Sequence, residues 1–121
     1  MAEIKLTAEA QQALIELQAF QQQLQTVLIQ RETLNLQNTE IDKALEELKK
    51  SKEEEVFKAV GPILIKSAKE ELEKELTEKK ETTELRLKSL KKQEDRLKER
   101  MKETQEKFEE AMKSQEKIMA E

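Results

Sequence analysis

The stretch from Val56 to Lys66, VFKAVGPILIK, decides the fold. Two runs rich in β-branched residues flank Gly61 and Pro62, which are the only glycine and the only proline among 121 residues. Proline ends a helix that reaches it, and glycine at the first central position of a two-residue turn is typical of a type II′ hairpin. The stretch therefore predicts a β-hairpin over residues 54–66.

Both faces of this predicted hairpin carry apolar side chains, so both favour burial. An isolated two-stranded hairpin is marginally stable in water. The hairpin either joins a core within its own chain or pairs with hairpins of other chains. The two segments that flank the hairpin are predicted below to be single helices, which are too narrow to cover it. Pairing with hairpins of other chains is therefore favoured. The predicted oligomerisation surface consists of Val56, Phe57, Val60, Gly61, Ile63, Leu64 and Ile65.

The segment before the hairpin follows a heptad repeat. With a at Ala10 and d at Ala13, ten of the twelve a and d positions up to Leu48 are apolar, the exceptions being Arg31 and Asn38. A stripe this narrow predicts a coiled-coil helix over residues 8–50. Thr7 is placed to cap its first turn.

The segment after the hairpin, residues 67–120, carries a weaker heptad. Eight of its thirteen a and d positions between Leu76 and Ile118 are apolar. Ser67 and Glu70 form an S-x-x-E pattern, which predicts a capping box at the start of a second helix. Because the hairpin reverses the chain, the helices should run antiparallel. Residue 50 should then lie opposite residue 68, and residue 10 roughly opposite residue 108. We predict one mainly α domain over residues 1–121.

The composition excludes most catalytic chemistry. The chain has no Cys, no His and one Gly. Zinc sites with Cys or His ligands, Cys nucleophiles and Gly-rich phosphate loops are therefore absent. No carboxylates show the spacing of a catalytic pair. We predict a protein that is not an enzyme and that uses no cofactor or metal.

Charge and hydropathy argue against binding to nucleic acid and against insertion into a membrane. The net charge of −4 repels nucleic acid phosphates, and Tyr and Trp for base stacking are missing. The longest mostly apolar run, residues 59–65, is too short to span a membrane. Met1–Thr7 has no apolar core typical of a signal peptide. Because the absence of Cys fits a reducing compartment, we expect a cytoplasmic protein.

Apolar residues also gather near both chain ends, which an antiparallel pair brings together. They are either ordinary seam residues or an exposed binding tip. Fraying helix ends expose such groups, and methionine adapts to irregular apolar partners, so the cluster favours a binding tip. Its predicted members are Ile4, Leu6, Leu14, Phe108, Met112, Ile118 and Met119.

Three strings carry a resemblance to a known family. VFKAVGPILIK followed by a charged helix closely resembles the hairpin of the β-class prefoldins, which include the archaeal β subunit and eukaryotic subunit six. The Gln-rich LQAFQQQLQTVLIQRE and the later LRLKSLKKQEDRLKE are also similar to the archaeal β subunit. The resemblance covers nearly the whole chain and is most specific over residues 56–66.

The resemblance implies a fold and a function. The fold is a long antiparallel two-helix coiled coil whose central β-hairpin oligomerises into a β-barrel platform. The assembly is a hexamer of two α-class and four β-class subunits. It captures unfolded client proteins at the coiled-coil tips without ATP and delivers them to a group II chaperonin. The alternative is a purely structural coiled-coil spacer or filament component, for which an oligomerising hairpin in mid-chain has no use.

Overall fold

A computed structural model describes the backbone of residues 6–120 and the side chains of residues 6–116. The elements in order are helix α1 (Ala8–Lys50), strand β1 (Glu55–Val60), strand β2 (Ile63–Ala68) and helix α2 (Lys69–Ala120). The predicted mainly α fold with a central hairpin is confirmed. The chain forms two compact units. We call Met1–Gln30 with Leu90–Glu121 the helical unit, and Arg31–Ser89 the hairpin unit.

Helix α1 begins with the predicted threonine cap. The Ala10 backbone N–H donates a hydrogen bond of 3.1 Å to Thr7 Oγ1, which satisfies one of the free amide groups of the first turn. Glu9 lies in that turn, where the helix dipole favours a negative charge. At the other end, Ser51 N–H donates to the Glu47 carbonyl at 3.1 Å.

The heptad stripes face inward within the helical unit. Every described a and d side chain of both helices is buried or half-buried there, as a coiled-coil seam requires. Near the helix ends the seam consists of small residues, with Ala10, Ala13 and Ala111 no more than 7% exposed. Small side chains let the two backbones approach closely.

The same stripes form the seam of the hairpin unit, where four positions are polar: Arg31, Asn38, Lys80 and Thr83. Thr83 is buried, and its Oγ1 donates to the Lys79 carbonyl at 2.8 Å. The buried Asn38 Oδ1 accepts no hydrogen bond among the described residues. Lys80 forms an ion pair with Asp42. Hydrogen bonding to Asp42, and the charges of Asp42 and Glu84, raise the pKa of Lys80 above its ordinary value of 10.5.

This ion pair predicts a stability change at alkaline pH. A raised folded-state pKa means that the pair's contribution is complete below pH 10.5 and is lost as the pH rises through the folded value. Asp42→Asn removes the partner, so its stability should fall less steeply above pH 10 than that of the unchanged chain. Urea unfolding at pH 9 and at pH 11 measures the difference. Because both side chains are partly exposed, we expect a small effect. Equal pH slopes for the two proteins contradict the assignment.

The register of the two helices differs from the prediction by about one helical turn. Residue 38 was expected opposite residue 80, whereas Lys80 pairs with Asp42. In the helical unit, Ala13 and Ala111 line the same groove, although residue 10 was expected opposite residue 108. One cause lies at the hairpin, where β2 continues to Ala68 and delays the start of α2.

The predicted capping box at Ser67 and Glu70 is therefore wrong. Ser67 lies inside β2, paired with Val56, and α2 begins at Lys69. Contacts from Lys69 fix this helix start instead. Its backbone N–H donates to the Glu54 carbonyl at 2.8 Å, and its Nζ donates to the Ser51 carbonyl at 2.8 Å. The loop before β1 thus supplies one backbone acceptor to the helix start and holds the Lys69 side chain with a second.

The hairpin turn has the predicted type. Val60 pairs with Ile63, which leaves Gly61 and Pro62 as a two-residue loop. Gly61 has φ +56°, and no other described residue has a positive φ. A positive φ at the first central position only is the signature of a type II′ turn, and proline supplies the negative φ at the second position.

Gly61→Ala tests this turn. Apart from atoms of Gly61 itself and its two chain neighbours, no atom lies within 4 Å of the position that an alanine Cβ would take, so the substitution creates backbone strain without a clash with the rest of the chain. We expect the free energy of unfolding to fall by about 1–2 kcal/mol, the cost of a left-handed conformation for an L-residue. Urea unfolding at fixed protein concentration gives the value. A neutral or stabilising result means that the turn adopts another conformation.

Candidate functional site

The hairpin carries apolar side chains on both faces. The antiparallel register sets Val60 beside Ile63 and Lys58 beside Ile65 on one face, which we call face A. The opposite face, face B, has Ala59 beside Leu64 and Phe57 beside Lys66. Directly opposite residues share a face and successive residues alternate. Each face therefore presents large apolar groups, as the sequence predicted.

These groups are exposed in the single chain. Phe57 and Leu64 on face B are 61% and 70% exposed, and Ile63 on face A is 55% exposed. Val60 and Ile65 are exposed to a similar degree. A small hairpin that leaves its largest side chains in water lacks the burial that a stable sheet needs. Both strands are also edges, each with an outer row of unpaired backbone groups.

One end of face A is tied to its own chain. Lys58 forms an ion pair with Glu75 near the start of α2. Val56, Lys58 and Ser67 are half-buried. The residues nearest the helices are thus partly covered, while the turn end of the hairpin remains open. The apolar side chains at the turn end are therefore exposed while this ion pair is in place.

The predicted binding tip is only partly exposed. Leu6, Leu14, Phe108 and Met112 are all half-buried in the helical unit. Ile4 lies outside the described residues, as do the side chains of Ile118 and Met119. The structure thus brings four predicted tip residues into one unit, and their role in binding stays a prediction.

Other apolar side chains are more exposed than those of the predicted tip. Ile15 is 61% exposed and directly follows Leu14; Leu28 and Ile29 are also exposed in the helical unit. In the hairpin unit, Leu36 and Leu85 are 62% and 67% exposed. Sequence reasoning missed these residues, although their positions off the heptad seam were a usable signal: an apolar side chain at f points away from the partner helix.

A charged residue occupies the seam of the helical unit. Glu94 stands at an a position and is 4% exposed. Lys98 Nζ lies 2.9 Å from its Oε1, and Lys91 Nζ lies 3.6 Å from its Oε2. Asp95 also pairs with Lys91, at 3.4 Å. A buried carboxylate is tolerated only where cations and hydrogen bonds compensate it, and these two lysines provide that compensation from the same helix.

No described helix has an apolar stretch long enough to cross a bilayer.

Comparison with known proteins agrees with this architecture. A family model described as "Prefoldin subunit" matches residues 11–115. The prefoldin subunit beta of Archaeoglobus fulgidus is 47% identical over 93 residues, which are 76% of this chain and 80% of that protein. The prefoldin subunit beta of Saccharolobus islandicus is 41% identical over 95 residues, 78% of this chain and 75% of that protein.

A solved structure extends the similarity to three dimensions. The crystal structure of the prefoldin beta subunit from Thermococcus strain KS-1 superposes with a TM-score of 0.79 at 37% identity. The match covers 88% of this chain and 95% of that one. The match thus extends over most of both chains. With the family model spanning most of the sequence, the chain belongs to the prefoldin family, and within it resembles the beta subunits.

Proposed function

We propose that this chain is a subunit of a hetero-oligomeric chaperone that captures unfolded proteins without ATP and passes them to a group II chaperonin. The observation that carries the proposal is the hairpin, whose large apolar side chains are exposed on both faces. Family membership supports it, since prefoldin is a chaperone family. The protein acts in the cytoplasm and catalyses no reaction.

Assembly follows from the hairpin. Edge strands with exposed apolar faces pair with further strands, and a closed barrel removes every edge. The partners are hairpins of α-class subunits and of other copies of this chain, in a hexamer of two α and four β subunits. A structural spacer has no need for such a surface.

Capture uses apolar surface at the ends of the helical unit. Unfolded chains expose apolar groups, and their burial contributes roughly 25 cal/mol per Å². The exposed Ile15 and the half-buried Leu14 and Met112 supply such surface. Several subunits that hold one client together gain avidity, so each contact remains weak and reversible.

Aggregation suppression tests the proposal directly. The chain, assembled with an α-class partner, should keep a heat-unfolded reporter protein in solution when no nucleotide is present. Light scattering records aggregation, and sedimentation of the same sample gives the mass of the assembly. An assembly of the expected mass that leaves aggregation unchanged contradicts the holdase function. Absence of any assembly contradicts the role assigned to the hairpin.

A further inference from the structure

A groove on one side of the helical unit has a composition unlike the rest of the molecule. Its floor is formed by the buried seam residues Val27 and Leu97, and its volume is about 410 Å³. The α1 wall presents Gln23 and Gln30, and the α2 wall presents Arg96 and Arg100 beside Gln93. We call this feature the arginine groove.

The α1 wall offers no acidic group to the arginines. Residues 17–30 of α1 contain no charged residue at all, in a protein with 41% charged residues. Glutamine amides fill the positions where a coiled coil often places carboxylates opposite basic residues. Arg96 and Arg100 therefore face an uncharged surface.

The acidic residues of α2 do not neutralise the arginines either. Residues 90–102 hold six basic and three acidic residues. Two of the acids, Glu94 and Asp95, pair with Lys91 and Lys98. Among the described side chains neither arginine forms an ion pair, and both are exposed. Two of the basic residues of this stretch, Arg96 and Arg100, thus place positive charge in the groove.

The chemistry of the groove matches one kind of occupant. Guanidinium groups bind carboxylates with two parallel hydrogen bonds. Glutamine side chains both donate and accept hydrogen bonds, so they suit the N–H and C=O groups of any peptide backbone. The apolar floor accepts an aliphatic side chain. We infer that the arginine groove binds extended acidic segments of unfolded polypeptides. The inference rests on the proposed capture of unfolded proteins and adds a charge preference to it.

A second groove, on the same side of the helical unit, has the opposite charge and should therefore repel acidic segments. It lies toward the helix ends, and Glu9, Glu16 and Glu110 line it with one basic residue, Lys107. Both grooves use g and c positions of the two heptads, so they share one side of the pair. An unfolded segment with carboxylates is attracted to the arginine groove and repelled from the outer one.

The test uses a fluorescein-labelled peptide of Glu, Leu, Ser and Gly, with a twin that has Lys in place of Glu. Binding to the assembled protein is followed by fluorescence anisotropy. Surface charge pairs contribute about 0.2–1 kcal/mol each, so Arg96→Gln with Arg100→Gln should weaken binding of the acidic peptide about three- to tenfold. Salt at about 0.5 M should remove most of this difference between the variant and the unchanged protein. At low salt, the unchanged protein should bind the Lys peptide more weakly than the acidic one.

Lys92→Gln with Lys113→Gln is the matched control. It removes the same charge from two exposed f positions of the same unit that line neither of the two grooves, so its affinity for the acidic peptide should stay within twofold of the unchanged protein. Circular dichroism verifies that both variants keep their helices. Equal affinities for the two double variants overturn the inference.

Two further measurements, the mass of the assembly and the suppression of aggregation, distinguish a peptide site from an interface between copies and separate this inference from the proposed function. If Arg96→Gln with Arg100→Gln lowers the mass of the assembly, the groove is an interface between copies and the inference is wrong. Suppression of aggregation of an uncharged apolar reporter should be unchanged in this variant. If the unchanged protein suppresses aggregation but does not bind the acidic peptide, the inference fails while the proposed function stands. If it binds the peptide in the groove but suppresses no aggregation, the proposed function fails and the groove remains a peptide site.

Discussion

Val60→Asp with Ile63→Asp should reduce the assembled protein to single chains. The two residues pair directly across face A at the open end of the hairpin. In a single chain both aspartates are hydrated, because both positions are exposed. Between subunits they bring two charges into an apolar interface, which costs at least several kcal/mol when no cation compensates them. Sedimentation should show monomer mass, and circular dichroism should show unchanged helix content.

Leu36→Asp with Leu85→Asp is the matched control for this result. These leucines belong to the same unit and are at least as exposed as Val60 and Ile63, but lie outside the hairpin. Assembly should be retained in the control. Full oligomer mass in the hairpin variant, or loss of assembly in both variants, refutes the hairpin as the specific assembly surface.

Truncation after Glu106 should abolish most client capture. It removes Phe108, Met112, Ile118 and Met119 together. The buried Ala111 is lost as well, so the α1 seam near Ala10 and Ala13 becomes uncovered and some fraying is expected. No residue of the hairpin unit is altered, and assembly should therefore persist. We expect the dissociation constant for an unfolded reporter to rise at least about tenfold, since each buried apolar side chain contributes about 1.5–3 kcal/mol.

Ile15→Ser with Met112→Ser separates lost surface from fraying. It keeps the chain length and removes one exposed and one half-buried apolar side chain. Gln12→Ser with Lys113→Ser makes two polar changes in the same unit and serves as its control. Undiminished capture by both the truncated chain and the Ile15/Met112 variant, at unchanged oligomer mass, places the client site elsewhere.

The sequence predicts most of the secondary structure for clear physical reasons. The one Gly-Pro pair marks the turn, and Thr7 marks the first turn of α1 by the hydrogen bond that its side chain accepts. The heptad of α1 identifies the buried side of that helix because its apolar positions are nearly continuous. Each of these signals lies within a short stretch of sequence, so it can be recognised without knowledge of contacts between distant residues.

The register of the helices is less accessible from the sequence. Polar residues such as Lys80, Thr83 and Glu94 occupy α2 seam positions, and a seam with so many polar positions fits several offsets almost equally well. The actual offset depends on the last residues of β2 and on the contacts of Lys69 with the preceding loop. These contacts join residues far apart in sequence, which a local pattern such as a capping box does not report.

The arginine groove likewise could not be predicted from local sequence patterns. Its floor combines residues from α1 and α2 that only the correct register brings together. The absence of charge over residues 17–30 is visible in the sequence, but it becomes informative only when Arg96 and Arg100 are known to face that stretch. The hairpin surface is the opposite case, because a short turn fixes its register and its exposed residues could be read directly.

The two-residue turn has a consequence for how the chain folds as it is synthesised. Closing a loop costs more entropy as the loop lengthens, and Val60 and Ile63 are separated only by the turn. The ion pair of Asp42 and Lys80 closes a longer loop. The loop between Ala13 and Ala111, which line one groove, contains most of the chain. We expect pairing to start at the turn and to advance toward the chain ends. The seam of α1 near Ala13 then stays uncovered until the last part of α2 leaves the ribosome, so a nascent copy of this chain is itself, for that interval, a polypeptide with exposed apolar surface.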